Sequence, residues 1–130
     1  MSTRYLSYEQ VVRLHKELML EEGKSAVLGS PDKLEAAVMR PQSTAFGEDA
    51  YPSLAEKAAA LLESIAIGHP FLDGNKRAAF VAMDTLLRLN GVTKGLAENA
   101  TYELVIGVAS GAIRGVDVIA ARLRELYAPD

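Results

Sequence analysis

Apolar residues return every three or four positions along most of this chain, and that spacing restricts it to packed helices. The first series places Val11, Leu14 and Leu18 on one face, opens on Ser7 and Gln10 at capping-box spacing, and stops at Gly23. Ser30 and Pro31 open a short second helix with Leu34, Ala37 and Val38, and Pro41 biases Arg40 out of the helical region. Ser53 and Glu56 repeat the capping box ahead of Leu54, Ala58, Leu61, Leu62 and Ile65, a series that ends near Gly68. A fourth helix starts near Asn75, carries Ala79, Phe80, Met83, Leu86 and Leu87 to an Asn90-Gly91 terminator, and reads as the central helix. Asn99 is the expected cap of a fifth, with Leu104, Val105 and Val108, and the last runs from Val116 to Tyr127 with Ile119, Leu123 and Leu126 inward. The expected fold is all-α, with about six helices.

A chain with 49% apolar and 24% charged residues is balanced for packing, and 130 residues suffice for one domain, residues 1–130, with its own core. The formal net charge of -3 argues against a general polyanion binder, so no direct nucleic-acid partner is expected. With no cysteine there is no disulfide framework or thiolate chemistry. Glu63, Arg88 and Glu103 interrupt the apolar runs before any reaches the length of a membrane span, so the expectation is a soluble cytoplasmic protein without membrane contact.

Two stretches break the helical pattern. Between the third and fourth helices lies HPFLDGNKR, residues 69–77, where Pro70 would cost about 3 kcal/mol inside a helix and so demands a loop. His69 is a side chain that exchanges a proton near neutral pH. Asp73 is a hard oxygen donor of the kind Mg²⁺ prefers. Gly74 allows close approach of the backbone to a ligand, Asn75 can cap the next helix, and that helix would aim free N–H groups at a phosphate. Lys76 and Arg77 oppose the helix dipole in its first turn, a placement that costs roughly 0.3 to 1 kcal/mol unless an anion sits there. Each feature also has a plain reading: His69 as a helix-end cap, Asp73-Gly74-Asn75 as a turn, the two cations as solvated charges. Phe71 reads as an aromatic plug and His15 as a structural residue. The second stretch, residues 42–51, carries a turn signal at Gly47-Glu48-Asp49 and reads either as a solvated loop or as a small hairpin.

HPFLDGNKR resembles the signature of the Fic/Doc family, H-P-F-x-D/E-G-N-x-R, and residues 40–57, RPQSTAFGEDAYPSLAEK, resemble the segment preceding it in Doc-type members. The resemblance implies a compact Fic/Doc-like helical domain with a small hairpin flap before the motif helix. In that flap Ser43, Thr44, Ala45 and Phe46 would align a target polypeptide by strand addition. It implies transfer from ATP to a protein hydroxyl, with His69 as general base and Asp73 holding Mg²⁺. Gly74, Asn75 and Lys76 would form an anion hole with their backbone groups, and Arg77 would neutralise transition-state charge.

Adenylyltransferases of the family have glycine and a second arginine where this chain has Lys76 and Phe80. Both departures resemble Doc, in which the γ-phosphate faces the acceptor. The implied activity is therefore a protein kinase toxin acting on elongation factor Tu and arresting translation. Gly74 is the Fic-like residue, and it keeps adenylyl transfer as the alternative; a non-enzymatic helical binding module is the remote one. The family's in-chain inhibitory pattern is absent, since Leu18 precedes Glu22-Gly23 and Lys94 precedes Glu98-Asn99 where serine or threonine would stand. Inhibition is thus expected in trans, from a Phd-like antitoxin laying a helix in an apolar groove.

Overall fold

Both capping boxes form as their spacing requires: Ser7 and Gln10 exchange bonds of 3.1 and 2.7 Å, and Ser53 and Glu56 exchange bonds of 3.1 and 3.2 Å. The computed structural model describes residues 2–94 and 98–127. The two boxes open α1 (Tyr8–Glu21) and α3 (Leu54–Gly68), and the other helices are α2 (Pro31–Met39), α4 (Asn75–Leu89), α5 (Glu98–Ser110) and α6 (Val116–Leu126). The fold is all-α apart from a hairpin of β1 (Thr44–Ala45) and β2 (Glu48–Asp49). Helix α5 already includes Glu98, so Asn99 lies in its first turn and is not its cap; the residues just before it are outside the described set. Among the described residues no helix is long and apolar enough to cross a membrane.

The central helix is α3, where the periodicity pointed to α4. Ala58, Ala59, Ala60, Leu62, Ile65 and Ala66 are all 0% exposed, which is burial on every side, and α2, α4, α5 and α6 pack around them. Consecutive alanines make no stripe, so the pattern hides them, yet their small side chains let four neighbours close in. Helix α4 keeps one buried face, Ala78, Ala79, Ala82, Met83, Leu86 and Leu87. Phe80 is off that face, partly buried and tilted onto Tyr102 with ring centroids 6.1 Å apart.

Arg40 also departs from expectation. It is helical, at φ -54° and ψ -46°, and leads a 3-10 turn over Arg40–Gln42. The residue before a proline is biased away from this conformation, but the Arg40 guanidinium is anchored to Glu63 at 2.8 Å, Tyr51 at 3.0 Å and Ser64 at 3.1 Å. Burial alone would lower the pKa of Arg40; the bonds to Glu63 and Tyr51 outweigh it and hold the pKa above the usual value.

Residues 42–51 contain a hairpin, with Thr44 opposite Asp49 and Ala45 opposite Glu48. Its turn is Phe46-Gly47, both at positive φ (55° and 80°), one step earlier than the sequence signal. Two left-handed residues match the twist of a short hairpin, and a phenylalanine in that role is uncommon enough to escape a sequence reading. The hairpin is tied to the core by Lys57, which is 1% exposed and donates to the Asp49 carboxylate at 3.0 Å and to the Tyr51 carbonyl.

Replacing Lys57 with methionine keeps the apolar stem and removes both bonds. The Lys57→Met protein should lose about 1–3 kcal/mol in denaturant unfolding. Amide exchange at Ala50, whose N–H bonds the Ser43 carbonyl across the hairpin, should rise more than exchange within α4. Equal changes in the two places would mean that strand pairing alone holds the hairpin.

Candidate active site

Helix α3 ends on a bond from the His69 N–H to the Ile65 carbonyl, and His69 itself is left-handed, at φ 50° and ψ 58°. For a residue with a Cβ this conformation costs on the order of 1–3 kcal/mol and is met mostly where surrounding structure imposes it. Here Pro70 forbids further helix and is itself buried, so the reversal throws the imidazole outward into solvent. The chain between α1 and α2 clamps the loop that follows. Gly29 and Ser30 donate to the Pro70 carbonyl at 2.9 and 2.8 Å, and Leu72 donates to the Val27 carbonyl at 3.0 Å.

Phe71 is the plug expected of it, 3% exposed. Asn75 clasps both its backbone groups, accepting from its N–H at 3.0 Å and donating to its carbonyl at 2.8 Å. Asn75 is therefore the first residue of α4 and not its cap. The cap position belongs to Gly74, left-handed at φ 78°, and among the described residues no side chain caps this helix. The first helical bond runs from Ala78 to the Gly74 carbonyl, which leaves the N–H groups of Asn75, Lys76 and Arg77 without helical acceptors. The Gly74 N–H is taken by the Asp73 carboxylate at 2.8 Å. The N–H groups left open at this helix start thus lie one residue later than the Gly74-to-Lys76 set expected from the resemblance.

The charges around this helix start are exposed and loosely paired. The Asp73 carboxylate is 3.7 Å from Lys24, and Arg77 is 3.4 Å from Glu22. Pairs of this kind contribute about 0–1 kcal/mol, so a phosphate can displace them. Lys76 is exposed and has no hydrogen bond or ion pair among the described residues. His69, Asp73, Gly74, Asn75, Lys76 and Arg77 together line one pocket of about 340 Å³, and Tyr102 lines it as well. A second pocket of about 430 Å³ adjoins it, sharing Glu22, Arg77 and Tyr102 and reaching Phe80. A larger cavity, about 890 Å³, lies elsewhere, with Ala37, Ile67, Val108 and Ile113 in its lining. The smaller pocket is the one that holds His69 and the uncapped start of α4, which makes it the candidate site.

The four hairpin residues singled out in the sequence are not part of that pocket. Ser43, Thr44, Ala45 and Phe46 are all exposed, and Ser43 alone touches a cavity, the large one. Two contributors escaped the sequence reading. Glu22 reaches Arg77 although Leu18 breaks the inhibitory pattern. His15 is 2% exposed, stacks on Phe71 at 3.7 Å and meets the Asp73 carbonyl at 2.7 Å. Its signal was present: His15 lies four residues after Val11 and three before Leu18, on the face that α1 buries, whereas Leu14 lies at the edge of that face. A polar side chain on a buried face needs a partner.

A model of the Fic/DOC family matches residues 5–87. The chain is 59% identical to a protein named toxin Doc from Mycolicibacterium smegmatis over 59 residues, 45% of each chain. It is 33% identical to the protein kinase doc of Escherichia phage P1 over 124 residues, 95% of this chain and 96% of that one. An intact motif on an outward-facing turn, a family match that includes it, and a full-length relative lead to one conclusion: the chain belongs to the Fic/DOC family.

Proposed function

We propose that this chain is a Doc-type toxin, a protein kinase that moves the γ-phosphate of ATP onto a hydroxyl of a translation protein in the cytoplasm and so arrests translation. Elongation factor Tu is the target the family resemblance implies. The observation that carries the reading is one pocket holding an exposed imidazole, an uncapped helix start and an ammonium with no partner among the described residues. The named activity of the phage P1 relative agrees with it.

In this reading His69 takes the proton of the acceptor hydroxyl as its oxygen bonds to the γ-phosphorus, and the bridging bond to the β-phosphate breaks to release ADP. The amides of Asn75, Lys76 and Arg77 hold the phosphate oxygens, with the Lys76 and Arg77 side chains adding positive charge. Asp73 suits Mg²⁺ of the kind that travels with a nucleotide: it offers one solvent-facing carboxylate, and no cluster of three or more acidic or histidine ligands forms among the described residues. Bound there, the ion would offset phosphate charge. Gly74 remains the residue on which the adenylyltransferase alternative rests, although its left-handed backbone and a Cβ position 2.7 Å from the Met19 sulfur also favour a glycine by packing.

Recognition of the target would fall to the free edge of the hairpin around Ser43, Thr44, Ala45 and Phe46, by strand addition. Control would come from a Phd-like antitoxin. The large cavity, with Ala37, Ile67, Val108 and Ile113 in its lining and Lys33 and Arg114 beside them, suits an amphipathic helix with acidic residues on one side.

His69→Ala should lower target modification by about 10² to 10⁴ while leaving the melting temperature near the parental value, because the side chain is exposed. Parental activity in that variant would remove His69 from the chemistry. Asp73→Asn should weaken Mg²⁺-dependent nucleotide binding without loss of helix; superimposable metal titrations would return Asp73 to a turn role. With ATP labelled at either end, the γ-label alone should reach the target, and Lys76→Gly should reduce that transfer. Recovery of the α-label with pyrophosphate released would assign adenylyl transfer instead.

A further inference from the structure

The Asp73–Gly74 peptide is the point at which the metal-binding residue meets the phosphate-binding helix, and its orientation decides what both present to the pocket. In a trans peptide the carbonyl and the following N–H point in opposite directions. The Asp73 carbonyl turns inward, 2.7 Å from His15 Nε2, so the Gly74 N–H turns outward, where it holds Asp73 Oδ1 at 2.8 Å. A carbonyl oxygen can only accept, so His15 is the donor and carries its proton on Nε2.

We propose that His15 is a positioning residue of the transfer reaction: its Nε2–H fixes the Asp73–Gly74 peptide, and thereby the Asp73 carboxylate and the open start of α4. Three features support this role over simple core filling. His15 is buried to 2% exposure, where a polar ring is costly unless it is satisfied. Its ring lies flat on Phe71, 8° from parallel at 3.7 Å, which fixes the direction of the donor. A Cβ on Gly74 would stand 3.3 Å from Nε2, tighter than ordinary packing, so the motif glycine eases this approach of α1. His15 touches neither nucleotide nor target in this scheme and acts through Asp73 and Gly74. The inference rests on the phosphotransfer reading above.

Two substitutions separate the donor from the ring. His15→Phe keeps the stack on Phe71 and loses the donor; His15→Gln places an amide N–H near the position of Nε2 and loses the stack. Full-length protein of each is compared with the parent for Mg·ATP dissociation constant, for kcat/KM of target modification per folded molecule, and for exchange of the Gly74 amide without nucleotide. The expected result is that His15→Phe loses about tenfold to hundredfold in kcat/KM, as for other residues that orient a metal ligand. It should also bind Mg·ATP more weakly and exchange the Gly74 amide faster, even at an unchanged melting temperature. His15→Gln should stay closer to the parent on all three. If activity follows the ring instead, or the variants are equal, the proposal is overturned. Should His15→Gln fail to fold, Gly74 exchange in His15→Phe decides alone, parental protection there counting against the role. A parent that transfers no phosphate would instead sink the functional reading, and the amide exchange would still report on the peptide.

Discussion

The clasp between the Asn75 side chain and the two backbone groups of Phe71 is the contact on which the site depends. It closes the turn between the two helices that meet at the motif, and it does so from the first residue of α4, so that the helix direction and the loop are fixed by the same amide. The buried setting makes the clasp strong, since an amide and a peptide removed from water lose more when unpaired than they gain when paired. Everything outward of it follows: the left-handed His69, the uncapped amides of α4, and the exposed cations beyond them. The plug on the inner side, Phe71 against His15, keeps the loop from relaxing toward the core.

The site is consequently a rigid backbone cradle with loosely held charges around it. Glu22 and Lys24 meet Arg77 and Asp73 at distances of 3.4 and 3.7 Å in exposed positions, and they resemble placeholders more than braces. This division suits phosphoryl transfer, in which the protein supplies position and electrostatics and little covalent chemistry. It also explains why one residue can mislead. Gly74 looks like a substrate-class marker in the motif, yet its φ of 78° and the proximity of Met19 and His15 also favour a glycine on packing grounds.

Much of this was legible in the sequence because it is local. Ser7 with Gln10, Ser53 with Glu56, Pro31 behind Ser30, and Gly23 and Gly91 at positive φ act within a few residues, and each marks its helix end as expected. The motif loop was legible for the same reason, since Pro70 breaks a helix wherever it stands. What stayed hidden is tertiary. Three alanines in a row gave no hint that α3 is the buried centre, Arg40 is helical before a proline because Tyr51, Glu63 and Ser64 hold it, and Lys57 gains its role only when the hairpin folds over it. His15 fell between the two cases. Its place on the buried face was readable, but its partner, 58 residues on, was not.

The central claim is that this cradle presents the terminal phosphate of a nucleotide to His69. A crystal structure of the chain with Mg²⁺ and a non-hydrolysable ATP analogue tests it most directly. The account predicts the γ-phosphate seated on the amides of Asn75, Lys76 and Arg77, facing the His69 imidazole, with the metal on Asp73. An α-phosphate in that seat, or a triphosphate bound outside the pocket, would contradict it.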